Sequence, residues 1–187
     1  MSLSLTSVVF ALVAQTGPSA PAPPAPVSVT ISVGRGQTWD DEGGIGTGTS
    51  AGGGVEWRFR PHWSVGAEVE RLGHRRDTPA LVFSGRTVFA SANVVYHVAA
   101  RGVSPYAGGG FGGAFYTGTL VDRFSLPSRT IPRSSTPTMG YGTAGVEIPI
   151  GDRFAVSPEA RITLCRPQDD VGPWSTVRFG VKAALRF

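Results

Sequence analysis

The chain has 187 residues, 41% of them apolar, with a mean hydropathy of +0.03, which suits one folded domain. Its 26 glycines, 10 phenylalanines, 4 tryptophans and 4 tyrosines favour turns and strands over long helices, and no run of 18 apolar residues exists, which excludes a membrane-spanning helix. The +4 net charge comes from 17 bases scattered among 13 acids, so no nucleic-acid stripe forms, and the lone Cys165 excludes a disulfide scaffold and a CxxC metal or redox site.

The first segment, residues 1–17, contains the short apolar run Val8–Ala14 followed by small and polar residues. It reads as an export signal, although Met1–Ser7 carries no basic residue. Residues 18–26 follow as a spacer whose five prolines, Pro18, Pro21, Pro23, Pro24 and Pro26, forbid helix and central strand. The folded domain is expected over 27–187.

Within that domain a period of two marks strands over 27–36, 50–60, 63–72, 87–98, 105–118 and 138–149, and then over two C-terminal segments. Those last two carry the clearest signal. Phe154, Val156, Pro158, Ala160, Ile162 and Leu164 alternate with Arg153, Ser157, Glu159, Arg161 and Thr163, and the odd positions from Ser175 to Phe187 are mostly apolar. A helix cannot segregate these sets. Pro158 removes a ladder donor from the seventh strand, which predicts a bulge or local break there.

The connections alternate in length. His62, Ala99–Ser104 and Gly151–Asp152 are short, whereas 37–49, 73–86, 119–137 and 166–173 read as long loops. Eight strands with short turns on one rim and long loops on the other describe an antiparallel up-and-down transmembrane β-barrel, all-β, with both termini in the periplasm. The alternative is a soluble, lipocalin-like barrel that keeps its apolar face inside.

Aromatic placement favours the membrane. Trp57, Phe59, Trp63, Tyr96, Tyr106, Phe154 and Phe187 are assigned to the apolar face near the short-turn ends, where amphipathic rings form a girdle at the lipid headgroups. The opposite face collects Glu56, Glu68, Glu70, Glu147 and Glu159 with Arg58, Arg161, Arg178, Lys182 and Arg186. Five acids against five bases suit a lumen filled by ion pairs, and an eight-stranded barrel has room for side chains but not for an open pore. In the glycine-rich fifth strand, Tyr106, Phe111, Phe115 and Tyr116 are expected to cover glycine backbone across strands.

Three stretches carry a family resemblance: Ser104-Pro-Tyr-Ala-Gly-Gly-Gly-Phe-Gly-Gly, Gly145-Val-Glu-Ile-Pro-Ile-Gly-Asp-Arg-Phe and the terminal Val181-Lys-Ala-Ala-Leu-Arg-Phe. With these the chain resembles the small outer-membrane β-barrel superfamily typified by the membrane domain of OmpA and by OmpX. The resemblance implies that a C-terminal phenylalanine, Phe187, serves as the assembly signal read by the barrel-assembly machinery. Since the residues run only to Phe187, no peptidoglycan-binding domain is expected.

Catalytic and binding chemistry is sparse. Gly108-x-Gly110-x-x-Gly113 mimics a dinucleotide fingerprint but lies in a predicted strand with no helix after it, and Gly43–Gly48 lacks the Lys-Ser/Thr of a phosphate loop and reads as an external loop. The three histidines have no metal-ligand spacing, so neither metal nor cofactor is expected. His74, Asp77 and Ser84 share one predicted loop and offer a base, an acid and a nucleophile, the ground for a lesser alternative as a lipid-A-modifying outer-membrane enzyme, but such polar residues are ordinary in loops, so no enzyme is expected. For ligands, Arg123, Arg129 and Arg133 in the longest loop are candidate contacts to lipopolysaccharide phosphates. Across the four loops, however, Arg75, Arg76, Arg86, Arg123, Arg129, Arg133 and Arg166 are matched by seven acids (Asp40, Asp41, Glu42, Asp77, Asp122, Asp169 and Asp170), so no overall basic face is expected. The loop ligand stays open. The partners expected are outer-membrane lipid, lipopolysaccharide and the assembly machinery.

Overall fold

A computed structural model describes residues 27–40, 43–123, 129–166 and 173–187; the expected export signal and proline spacer lie outside the described residues. The described chain consists of β1 (Val27–Asp40), β2 (Gly43–Arg60), β3 (Trp63–Asp77), β4 (Leu81–His97), β5 (Ser104–Asp122), β6 (Arg129–Ser135), β7 (Thr138–Ile150), β8 (Phe154–Arg166) and β9 (Trp174–Arg186), all antiparallel to their neighbours and with no helix among the described residues.

The sheet runs β4-β3-β2-β1-β9-β8-β7-β5-β6, and β4 also pairs with β5 from Leu81↔Asp122 to His97↔Tyr106. That pairing closes the sheet, so no full-length edge is left to recruit another chain. β6 and β7 share one position. β7 pairs with the lower part of β5 (Ser104↔Glu147 to Gly113↔Thr138), β6 continues the same register on its upper part (Tyr116↔Ser135 to Asp122↔Arg129), and only Thr136 and Pro137 interrupt them. The barrel is therefore eight-stranded with one strand interrupted at Thr136 and Pro137, where proline has no N–H to give the ladder.

Three short turns and the strand ends at Val27 and Phe187 share one rim, here called the terminal rim; Phe187 N donates to the carbonyl of Val27 at 2.9 Å. At this rim the expected strand limits stand within a residue or two. The opposite, distal rim differs. Two of its expected long loops, 37–49 and 73–86, are mostly strand: β1 and β2 pair out to Asp40↔Gly43, and β3 and β4 pair to Asp77↔Val82 with only three residues between the strands; residues 124–128 and 167–172 of the other two expected loops lie outside the described residues. The Gly43–Gly48 segment is thus strand rather than loop. Ladder bonds use only backbone, so glycine-rich and polar stretches pair as well as apolar ones once a neighbouring strand holds them.

Alternation decides the wall. Phe154, Ile162 and Leu164 on β8 and Phe179, Val181 and Phe187 at the C-terminus face outward, and Phe179 is 67% exposed. From Phe154 to Leu164 the apolar run covers ten residue steps, about 34 Å of strand or about 26 Å of height at a typical ~40° tilt. That height fits the ~25 Å apolar band of a membrane barrel. A soluble barrel would bury this face. At Pro158 the β7–β8 pairing skips the positions opposite Val146 and Glu147 and then resumes in the same register, so the strand has a local gap and no bulge.

Candidate functional site: the filled lumen and the two rims

The ten expected lumen charges all point inward and all form ion pairs. Near the terminal rim, Glu147 accepts from Arg58 at 2.9 Å and forms an ion pair with Arg186 at 2.8 Å, and Glu56 meets Lys182 at 3.4 Å. Deeper in, Arg178 bridges Glu70 (2.7 Å) and Glu159, while Arg161 joins Glu68, Glu70 (3.4 Å) and Glu159 (3.7 Å). The Arg161 guanidinium also lies 4.2 Å above the Tyr141 ring. Each carboxylate has a cation and each cation a carboxylate, the condition under which charges persist in a low-dielectric interior.

His97, at the end of β4, is a lumen member outside the ten expected charges. It is fully buried, accepts from Arg58 Nη2 at Nδ1 (3.0 Å), shares a hydrogen bond with Ser64 (3.1 Å) and lies 3.5 Å from Glu56. The signal was present: Tyr96 reads as outward, so its neighbour must face the lumen.

Above the charges, toward the distal rim, Leu72, Phe89, Ala114, Met139, Tyr141, Cys165 and Trp174 form an apolar layer. His74 sits over it, bonded to Thr38 Oγ1 (3.1 Å) and Thr87 Oγ1 (2.8 Å), with the Trp174 ring edge-on. The lumen is thus filled at successive levels by ion pairs, an apolar plug and a His–Thr cluster.

Six of the seven girdle residues, Trp57, Phe59, Trp63, Tyr96, Phe154 and Phe187, stand exposed on the outer wall near the terminal rim, with Trp63 and Tyr96 edge-to-face at 5.0 Å. Tyr106 is the exception and a correction. It is 4% exposed, points into the lumen and donates its hydroxyl to Glu159 at 3.0 Å. On β5 the outward positions are odd, as exposed Phe111 and Phe115 show, but glycines on both faces leave the sequence without a contrast to set the parity. Of the four rings expected over glycine, Tyr106 covers one across strands and Tyr116 lies against Gly85 and Gly118, whereas Phe111 and Phe115 stand exposed on the outer wall; Tyr141 covers a glycine outside that expectation. Tyr106 lies across from Gly145 and Tyr141 across from Gly110, and a Cβ at either glycine would come within 2.6 Å of the ring.

The loop constellation His74, Asp77 and Ser84 does not assemble. His74 faces the lumen opposite Gly85, whereas Ser84 faces outward opposite Arg75 and shares a hydrogen bond with Thr119 (3.1 Å). Asp77 is held by Arg123 at 3.1 Å and lies 3.7 Å from Arg75. Of the three loop arginines, Arg123 is tied to Asp77 and the Thr78 carbonyl, Arg133 lies exposed on β6, and the side chain of Arg129 lies outside the described residues. Gly108, Gly110 and Gly113 all lie in β5, and no group of three or more His, Cys, Asp or Glu suited to a metal occurs among the described residues.

Comparison with known proteins places this geometry. Neisserial surface protein A superposes with a TM-score of 0.66 at 13% identity, over 86% of this chain and 97% of that one. Ail, the attachment invasion locus protein of Yersinia pestis, gives 0.62 at 14% identity over 88% and 100%, and it has also been crystallised with the heparin analogue sucrose octasulfate. The outer membrane enzyme PagL gives 0.50 at 15% identity over 83% and 97%. At such identities the likeness concerns the fold alone. No curated protein matches the sequence. Residues 5–187 match the family described as outer membrane protein beta-barrel domain, and the chain belongs to that family.

Proposed function

We propose that this protein is a plugged barrel of the bacterial outer membrane, without a wide pore or a catalytic site of its own, that acts through what its distal rim and distal wall hold. In this reading the terminal rim, with Phe187, faces the periplasm, and the barrel-assembly machinery reads that residue. The observation that carries the proposal is the lumen: Arg178, Glu159, Arg161 and Glu70 are each less than 10% exposed, and the layer of Leu72, Phe89 and Trp174 lies across the same bore. With the bore filled at these levels by described side chains, interaction falls to the outside, where barrels of this type carry their specificity. The complex of Ail with a polyanion shows that a barrel of similar fold holds such a ligand.

Purified protein in planar bilayers is expected to give no steady current of porin size. Such currents, retained in Arg178→Met, would replace the plugged reading by that of a channel.

A further inference from the structure

The outer wall changes character at one level. On β3 the outward series Trp63, Val65, Ala67 and Val69 gives way to Arg71 and Arg75, on β4 Val94, Ala92, Ala90 and Val88 give way to Arg86, and on β5 Phe111 and Phe115 give way to Thr117 and Thr119. The register brings the three arginines together. Arg71 lies opposite Val88, Gly73 opposite Arg86 and Arg75 opposite Ser84, so Arg86 faces Gly73 and has Arg71 and Arg75 as its two diagonal neighbours on the outward face. Such neighbours lie about 7–8 Å apart, close enough for like charges to repel.

The lumen and this wall differ in a way that matters. Inside, each of the five bases of the lumen network has a carboxylate. Outside, neither Arg71 nor Arg86 has one among the described residues; Arg86 Nε donates only to Thr117 Oγ1 at 3.3 Å, and Arg75 alone approaches an acid, Asp77 at 3.7 Å. Arg71, Arg86, Ser84, Thr117 and Thr119 line a shallow outward depression. Gly73 contributes no side chain between Arg71 and Arg75.

We propose that this wall is a binding site for a lipid phosphate, with Arg71 and Arg86 as the principal cations, Arg75 at its edge and hydroxyls of Ser84, Thr117 and Thr119 beside them. Clustered guanidinium groups with nearby hydroxyl donors recognise phosphate oxygens through short charge-assisted hydrogen bonds. The position selects a lipid over a free anion, because the site begins where the acyl-covered wall ends, so one molecule can place its chains against Val69, Val88 and Phe115 and its phosphate among the arginines. The site gives the proposed outer-wall interaction a ligand class, and it rests on that reading for its biological setting.

The test uses the full chain refolded in detergent, with retained lipid measured by native mass spectrometry. Bisphosphorylated lipid A is expected to bind the native protein about tenfold more tightly than the Arg71→Gln/Arg86→Gln variant, while dephosphorylated lipid A binds both alike. Gly73→Asp, which sets a carboxylate between Arg71 and Arg75 and opposite Arg86, is expected to lose binding to a similar extent, since a Cβ there meets only the Thr49 carbonyl at 3.8 Å and the barrel should still fold. Arg123→Gln, whose arginine is already tied to Asp77, should leave binding unchanged. Equal affinity of the native and doubly substituted proteins would overturn the proposal. Displacement of the lipid by low-millimolar inorganic phosphate would overturn its lipid part and leave a free-anion site. Neither result depends on whether the lumen conducts, so failure here and failure of the plugged reading are separable.

Discussion

Replacing Arg178 with Met tests the claim that the lumen is held by mutual neutralisation. The guanidinium is 4% exposed and donates to Glu70 at 2.7 Å and to Glu159, which are 6% and 2% exposed. Its loss removes two charge-assisted bonds, each worth about 1.5–3 kcal/mol, and leaves Arg161 as the one cation shared by Glu68, Glu70 and Glu159. Breaking a buried pair from one side costs about 3–5 kcal/mol, so both routes converge on about 4 kcal/mol. With an m-value of about 2 kcal/mol/M, the midpoint of urea unfolding in lipid vesicles should fall by about 2 M. Glu159→Gln should cost less, because the amide oxygen still accepts from Arg178, while the amide nitrogen that faces Tyr106 can only donate to its hydroxyl. The double variant should be more stable than the sum of the single losses predicts, by at least about 1 kcal/mol, since the two sites are in direct contact. A shift of under 0.5 M for Arg178→Met, or strict additivity, would show that the network is solvated and that the plug is not built on these pairs.

Three further outcomes follow from the same geometry. Tyr106→Phe removes a buried hydroxyl bonded to Glu159 and should cost about 1–3 kcal/mol in the same urea titration, whereas Tyr96→Phe on the outer wall should be nearly neutral. Gly110→Ala drives a Cβ to within 2.6 Å of the Tyr141 ring and should destabilise the barrel by more than about 1 kcal/mol, while Gly113→Ala, where nothing lies within 4 Å, should stay within about 0.5 kcal/mol. Deleting Phe187 should lower the amount of assembled barrel recovered from outer membranes, scored by its faster gel migration when unheated, and unchanged recovery would remove the assembly-signal role.

The sequence determined the orientation of most of the wall by itself. On β8 and β9 every second residue but Arg166 and Ser175 is apolar and most of the residues between them are charged or hydroxylated, so the face meeting lipid follows from the strand period without knowledge of any neighbour. Trp57, Phe59, Trp63 and Phe154 follow from the same parity, and the five acids and five bases of the lumen follow as its complement. Where that contrast vanished, the reading failed: glycines on both faces of β5 concealed that Tyr106 points inward. Only the tertiary structure decided the rest, because it depends on neighbours remote in sequence. Backbone pairing with an adjacent strand turned the expected loops at Gly43–Gly48 and Gly73–Arg86 into wall, for ladder bonds make no demand on side-chain type. The same pairing gave Arg178 its partners Glu70 and Glu159, and it set Arg86 opposite a bare glycine and diagonal to Arg71, a juxtaposition fixed by register between strands.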